Sequence, residues 1–206
     1  MFPGEDITRL LPEHLKSFAS DLRKYPLGFP KWFYGAPPAE IYQGDVIASA
    51  RTPLLDDDGT GAYRDGAVVV ISNTCDVQPN RDDYLLLAPL FTLEERIEGI
   101  TLTGQQQIDH IHDLKRNRLT NIMFFPATSG VPESWVDFSK ICPVSSNYFY
   151  SEALNVREKR VASLSQKGHY FFLMKLASHL CRPEDPNDAK RTKPVLAGSG
   201  GLEPQP

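Results

Sequence analysis

The sequence predicts a mainly β fold with flanking helices, arranged as a small barrel. Three observations carry this. Five short strand-like runs, Asp45–Ala50, Ala67–Ser72, Tyr84–Pro89, Asn121–Phe125 and Trp135–Val144, are each bounded by turn residues. Their spacing is that of a small all-β barrel. A strongly amphipathic stretch, Gln166–Leu180, then follows the last run and predicts a closing helix.

Leu11, Leu15, Phe18, Ala19 and Leu22 fall at helical spacing behind Pro12, which suits a first helical turn. In "YPLGFPKWFYGAPPAE" four prolines and two glycines end that helix. The same segment supplies an aromatic arm from Phe29, Trp32, Phe33 and Tyr34. Residues 1–42 are therefore read as an N-terminal helix and arm. Between the first two strands, "RTPLLDDDGTGAYRDG" marks a hairpin with a mobile tip. The segment between the third and fourth strands is too long for a bare loop, which places a helix at Gly104–Arg116 with Ile108, Ile111 and Leu114 as its apolar contacts. In the closing helix Tyr170, Leu173, Leu176, Ala177 and Leu180 share one face, widened by Phe171 and Phe172. The barrel with its inserted and closing helices spans 43–182, and the Pro-, Gly- and charge-rich stretch 183–206 reads as a disordered tail.

Composition excludes several classes. With 206 residues, 41% hydrophobic and 23% charged, the chain can bury a real core. A net charge of -4 argues against broad electrostatic capture of nucleic acid and leaves room only for a local basic groove. The three cysteines, Cys75, Cys142 and Cys181, are widely spaced and lack metal-ligand spacing, which reads as reduced thiols in the cytoplasm and no metal site. No signal segment or apolar run of membrane-spanning length is expected. A phosphate-cradling Gly loop is also missing, and no cofactor is expected.

The order "QGDVI", a flexible hairpin, "VVVIS", "LLLAPL", a short strand ending at Pro126, "SWVDFSKICPV" and a C-terminal helix resembles the PemK/MazF-like family over Gln43–Leu180. The resemblance implies an SH3-like barrel, a setting in toxin–antitoxin or phage-defence systems, metal-independent endoribonuclease activity on RNA, an antitoxin or other protein partner, and pairing into a homodimer. Members of the toxin branch carry Arg-Pro just before the second strand and Ser or Thr after the third. Here "YRDGAVVV" supplies Arg64 without the proline, and "LAPLFT" puts Phe91 at the hydroxyl position with Thr92 one residue later. In a strand that shift turns a side chain to the opposite face.

Three candidate sites follow. Cys75 and Asp76 in "ISNTCDV" read either as a nucleophile, which would need His110, His112 or His169 beside the thiol, or as a packed strand end whose Asp76 or Asn73 caps a turn. In "HIHDLKRNR", His110 or His112 can serve as acid or base while Lys115, Arg116 and Arg118 hold phosphate. The rival account is a solvated face whose charges pair with Asp109 and Asp113. Arg64 can contact phosphate at the hairpin, with Thr92 assisting proton transfer. The acidic tip Asp56, Asp57 and Asp58 lacks the ligand spacing of a calcium loop. "NVREKR", with Arg157, Lys159 and Arg160, reads by default as solvated surface, the alternative being a contact with nucleic acid or a partner protein.

Three functions remain open at this point. The first is a barrel that binds or cleaves RNA in a toxin or phage-defence setting. The second is an inactive protein-binding module of a larger defence complex. The third is a Cys75-dependent hydrolase.

Overall fold

The computed structural model describes residues 33–55 and 58–180. The expected helix at Leu11–Leu22, Phe29 and Trp32 of the aromatic arm, Asp56, Asp57, Cys181 and the tail lie outside the described residues.

Eight strands form one antiparallel arrangement: β1 (Tyr34–Gly35), β2 (Val46–Leu55), β3 (Gly61–Val70), β4 (Tyr84–Thr92), β5 (Ile122–Phe125), β6 (Ser134–Asp137), β7 (Cys142–Ser145) and β8 (Arg160–Leu164). The helices are α1 (Leu93–Gly99), α2 (Gln105–Lys115), α3 (Ser146–Phe149), α4 (Val156–Lys159) and α5 (Gln166–Leu180). The hydrogen-bonded order is β1-β8-β2-β3-β4-β6-β5, with β7 also on β4. Strand β4 is the hub. It pairs β7 through Tyr84–Leu87, β3 through Leu87–Pro89 and β6 through Leu90–Thr92.

The two ends of this path do not pair, so the sheet is not closed into a barrel. They meet through side chains instead. The Phe33 ring stands edge-on to Phe125 at 5.5 Å, and the Tyr34 hydroxyl donates to the carbonyl of Pro126 at 2.8 Å.

The continuous apolar run Val68-Val69-Val70 is buried on both faces, as expected of a central strand covered from two sides. Val69 joins Val46, Leu90, Phe125, Phe138, Phe172 and Leu176 under α5. Val68 and Val70 join Ile47, Leu85, Leu87, Phe149 and Val156 under α3 and α4. A smaller third cluster, Leu114, Ile122 and Trp135, lies beneath α2.

Several expectations change. The run Trp135–Val144 is two strands, because Asp137 breaks it: its Oδ1 accepts from the Ser139 amide at 2.9 Å and hydroxyl at 2.7 Å, capping a short 3-10 turn at Phe138–Lys140. Of "NVREKR", Arg157 is exposed as expected, but strand β8 opens at Arg160. Its Arg160 turns inward to Asp45 at 3.3 Å, and that carboxylate is 1% exposed. Helix α2 covers nearly the predicted span, and α5 covers all of it.

The buried stripe of α5 is rotated from the expected one. Gly168, Phe171, Phe172, Lys175 and Leu176 face inward, while Ala177 and Leu180 are exposed. Gly168 sets the rotation, since a Cβ there would run into the Phe33 carbonyl oxygen. A helix can approach a backbone this closely only where the side chain is a hydrogen.

Candidate nucleic-acid interface

The C-terminal end of β4 gathers three of the predicted site residues, Arg64, Thr92 and His110. Phe91 and Trp135 are cross-strand partners with rings stacked at 4.9 Å. The Arg64 guanidinium lies over Phe91 at 4.5 Å, and the Arg96 guanidinium lies over Trp135 at 4.8 Å. Cation–aromatic contacts of this kind contribute about 0.5–2 kcal/mol each.

The polar groups of this cluster are engaged with one another. Thr92 is the N-cap of α1: its Oγ1 accepts from the Glu95 amide at 3.1 Å, and Glu95 reaches back to the Thr92 amide at 2.5 Å. Glu95 also takes Arg64 Nη2 at 2.9 Å, and the Arg64 side chain is only 20% exposed. Its Nη1 is buried without a hydrogen bond, lying over Gly66, where a Cβ would displace it. Burial raises the Glu95 carboxyl, but its bonds to Thr92 and Arg64 outweigh that and hold it below its ordinary value.

Arg96 donates to His110 Nε2 through Nε at 3.1 Å and through Nη2 at 2.9 Å. A guanidinium has no acceptor, so Nε2 must carry the lone pair and Nδ1 the proton. Burial, and then the Arg96 charge, push the imidazole below its ordinary pKa. His110 is thus a neutral base whose lone pair is already taken.

The rest of the predicted phosphate groove divides. His112 lies about 200° round α2 from His110 and is exposed. Lys115 pairs with Glu133 at 2.7 Å, and Arg118 pairs with Asp113 at 2.9 Å. Arg116 differs, because its Nε is buried without a hydrogen bond, as is Nδ2 of the adjacent Asn117.

Cys75 and Asp76 lie beyond the C-terminal end of β3, away from Arg64 near its start. The amides of Asp76 and Val77 both donate to the Asn73 carbonyl, and Asn73 Nδ2 donates to Asp76 at 3.3 Å. Asp76 and Asn73 therefore order a turn. Cys75 is exposed and is not a packed strand end. The turn sends Val77 into the core in its place, where it is 0% exposed. His110 is bound to Arg96, and His169 lies 3.2 Å from Gln43 Oε1.

Asp58 closes the hairpin tip by accepting from the Thr60 amide and hydroxyl at 2.9 and 2.7 Å. Among the described residues no group of three His, Cys, Asp or Glu side chains could hold a metal, and no helix is long and apolar enough to cross a membrane. An open cavity of about 350 Å³ beside α4, lined by Tyr150, Ser151, Glu152, Asn155, Val156 and Arg157, contains none of the predicted site residues.

Sequence reasoning missed Phe91 as a stacking platform, together with Gly66, Glu95, Arg96 and Trp135. One signal was present: Thr92-Leu-Glu-Glu95 is a T-x-x-E capping box, which assigns the threonine to a helix start. No protein-family model matches the chain, and no curated protein matches it.

Proposed function

We propose that this chain is a catalytically inactive protein-binding module, an opened relative of the SH3-like barrel, acting in the cytoplasm within a toxin–antitoxin or phage-defence assembly. One observation carries the loss of catalysis. Arg64 is held by Glu95, the Thr92 oxygen is committed to the α1 cap, and the His110 lone pair is taken by Arg96. RNA cleavage needs a cation free for the scissile phosphate and a base free for the attacking hydroxyl, and neither is free in this cluster. The approach of Phe33 to Phe125 across the two sheet ends supports the kinship with barrels. The biological setting comes from the resemblance in sequence alone.

The test is incubation of the purified chain with a mixed single-stranded RNA pool, with and without EDTA, beside Arg64→Ala and His110→Ala variants. Intact RNA in every sample is expected. EDTA-resistant cleavage that either variant abolishes would sink this reading in favour of an endoribonuclease.

A second reading, RNA binding without cleavage, is favoured by Arg116, whose guanidinium, unlike those of Arg64 and Arg118, makes no ion pair among the described residues. Under it, Arg116→Ala weakens RNA binding and flattens its salt dependence. An unchanged salt slope counts against it.

A further inference from the structure

The β2–β3 ladder continues from Ala50↔Gly66 out to Leu55↔Gly61, while both of its neighbours stop short of it. Strand β8 leaves β2 at Ile47, and β4 meets β3 only from Val68 onward. Among the described residues no strand pairs with either edge of the outer half of the hairpin, although Phe91 and Glu95 flank its β3 side at Arg64.

The edges differ. The Arg51 amide donates outward to the Tyr148 hydroxyl at 2.7 Å. In an antiparallel ladder, outward-turned residues alternate. Arg51, Pro53 and Leu55 thus turn outward on β2, and their partners Asp65, Tyr63 and Gly61 turn outward on β3. The β2 edge is blunted, since Tyr148 occupies Arg51 and Pro53 has no amide hydrogen. The β3 edge has no proline or bulge between Gly61 and Asp65 to block strand addition, and its two charged residues, Arg64 and Asp65, are paired with Glu95 and Arg51. On one face of the arm, Leu55 and Tyr63 are 76% and 75% exposed, flanked by a two-point ion pair between Arg51 and Asp65 at 2.9 and 3.0 Å.

We propose that a second copy of this chain adds antiparallel to the β3 edge at Gly61–Asp65, with Tyr63 on the two-fold axis. The sequence Gly61-Ala62-Tyr63-Arg64-Asp65 fits itself in this register. Gly61 faces Asp65 of the other copy, Ala62 faces Arg64, and Tyr63 faces Tyr63. Each charged residue meets a small neutral one, so no like charges oppose one another. The outward amides and carbonyls at the three outward positions fall in register and give about six inter-copy hydrogen bonds. The arms then form a four-stranded ribbon, with the two tyrosines at its centre between flanking Pro53 and Leu55. A self-fitting patch of this kind is the requirement for a closed two-fold dimer. The proposal deepens the binding-module reading by naming a partner for it.

Sedimentation of the full chain across a concentration series tests it. A reversible dimer is expected, with Tyr63→Lys raising the dissociation constant at least about tenfold, because two lysines then meet on the axis. Gly61→Lys, which faces Asp65, is expected to tighten the dimer. Both positions are exposed, and an unchanged melting profile of the diluted variants confirms that each folds. A monomer at every concentration, or a dimer that Tyr63→Lys leaves unmoved, overturns the proposal. A monomer that instead binds an unrelated extended peptide also overturns it. Sedimentation and RNA cleavage are separate readouts, so failure here is distinguishable from failure of the binding-module reading.

Discussion

Gly66 is the seat of Arg64. The two residues lie on the same face of β3, two positions apart, and the guanidinium occupies the space into which a Cβ on Gly66 would project. The lack of a side chain at Gly66 lets Arg64 lie flat against the strand and reach both Phe91 and Glu95. Gly66→Ala should push the flexible end of Arg64 off Phe91 and Glu95, at a cost of about 1 kcal/mol or less. In an Arg64→Ala background the same change should be neutral or stabilising, because alanine is otherwise favoured over glycine in a strand. Urea unfolding of the four proteins gives the coupling energy. Additive effects would show that Arg64 does not lie over Gly66.

Thr92 acts on the start of α1 in this structure. Thr92→Ala removes the oxygen that receives the Glu95 amide and should cost about 1 kcal/mol, with Thr92→Ser close to the parent. The unfolding midpoint in urea reads this directly. If Thr92→Ala leaves the midpoint unchanged, the cap is not formed in solution and the hydroxyl is free for another task.

Cys75 and Cys142 should separate in reactivity. Cys75 is exposed, whereas Cys142 is buried with its Sγ near the Leu87 carbonyl at 3.6 Å, and burial raises its thiol pKa. In a Cys181→Ser background, one thiol should react with a disulfide reagent in the native state and the second only on unfolding. Cys75→Ser should change stability by less than about 0.5 kcal/mol, as for surface substitutions generally. Native protection of both thiols would return Cys75 to the interior.

Legibility in the sequence followed how local the deciding physics was. The Val68–Val70 strand, α2 and α5 announce themselves by apolar runs and periodicity, and the structure has them. The rotation of α5 was not readable, because it depends on Gly168 meeting the Phe33 carbonyl across more than a hundred residues of chain. Nor was β8, whose Arg160 looks like surface charge until Asp45 is placed beside it. At the candidate site, the resemblance points to Arg64 and Thr92 and residue type points to His110, and the structure brings the three to one place. Their partners Glu95 and Arg96 escape notice because the sequence reading assigns no element to Leu93–Gly99. A cation counted without its carboxylate looks available for phosphate. Charge pairing is a tertiary fact, and in this site it decides how the cations are read.

Lys175 offers a stability test keyed to pH. It is buried on the inner face of α5, where its ammonium donates to the Asn117 carbonyl at 3.1 Å and to the Leu119 carbonyl, tying the helix to the loop before β5. Burial lowers its pKa from 10.5 to about 8. The unfolded chain therefore holds this proton up to higher pH than the native protein does. Between the two values the unfolded state binds more protons, so the native protein gains stability as pH rises through that window and loses it again as pH falls toward 8. Lys175→Met lacks the titration and keeps every other group, so the difference between parent and variant isolates it. That difference should be flat near pH 7 and should shift in the parent's favour by up to about 1.4 kcal/mol per pH unit above about pH 8. Urea unfolding at about pH 7 and about pH 9.5 measures it. A difference that stays constant between those conditions would mean that Lys175 keeps an ordinary, solvated ammonium, and that the tie between α5 and the Asn117–Leu119 loop is not buried.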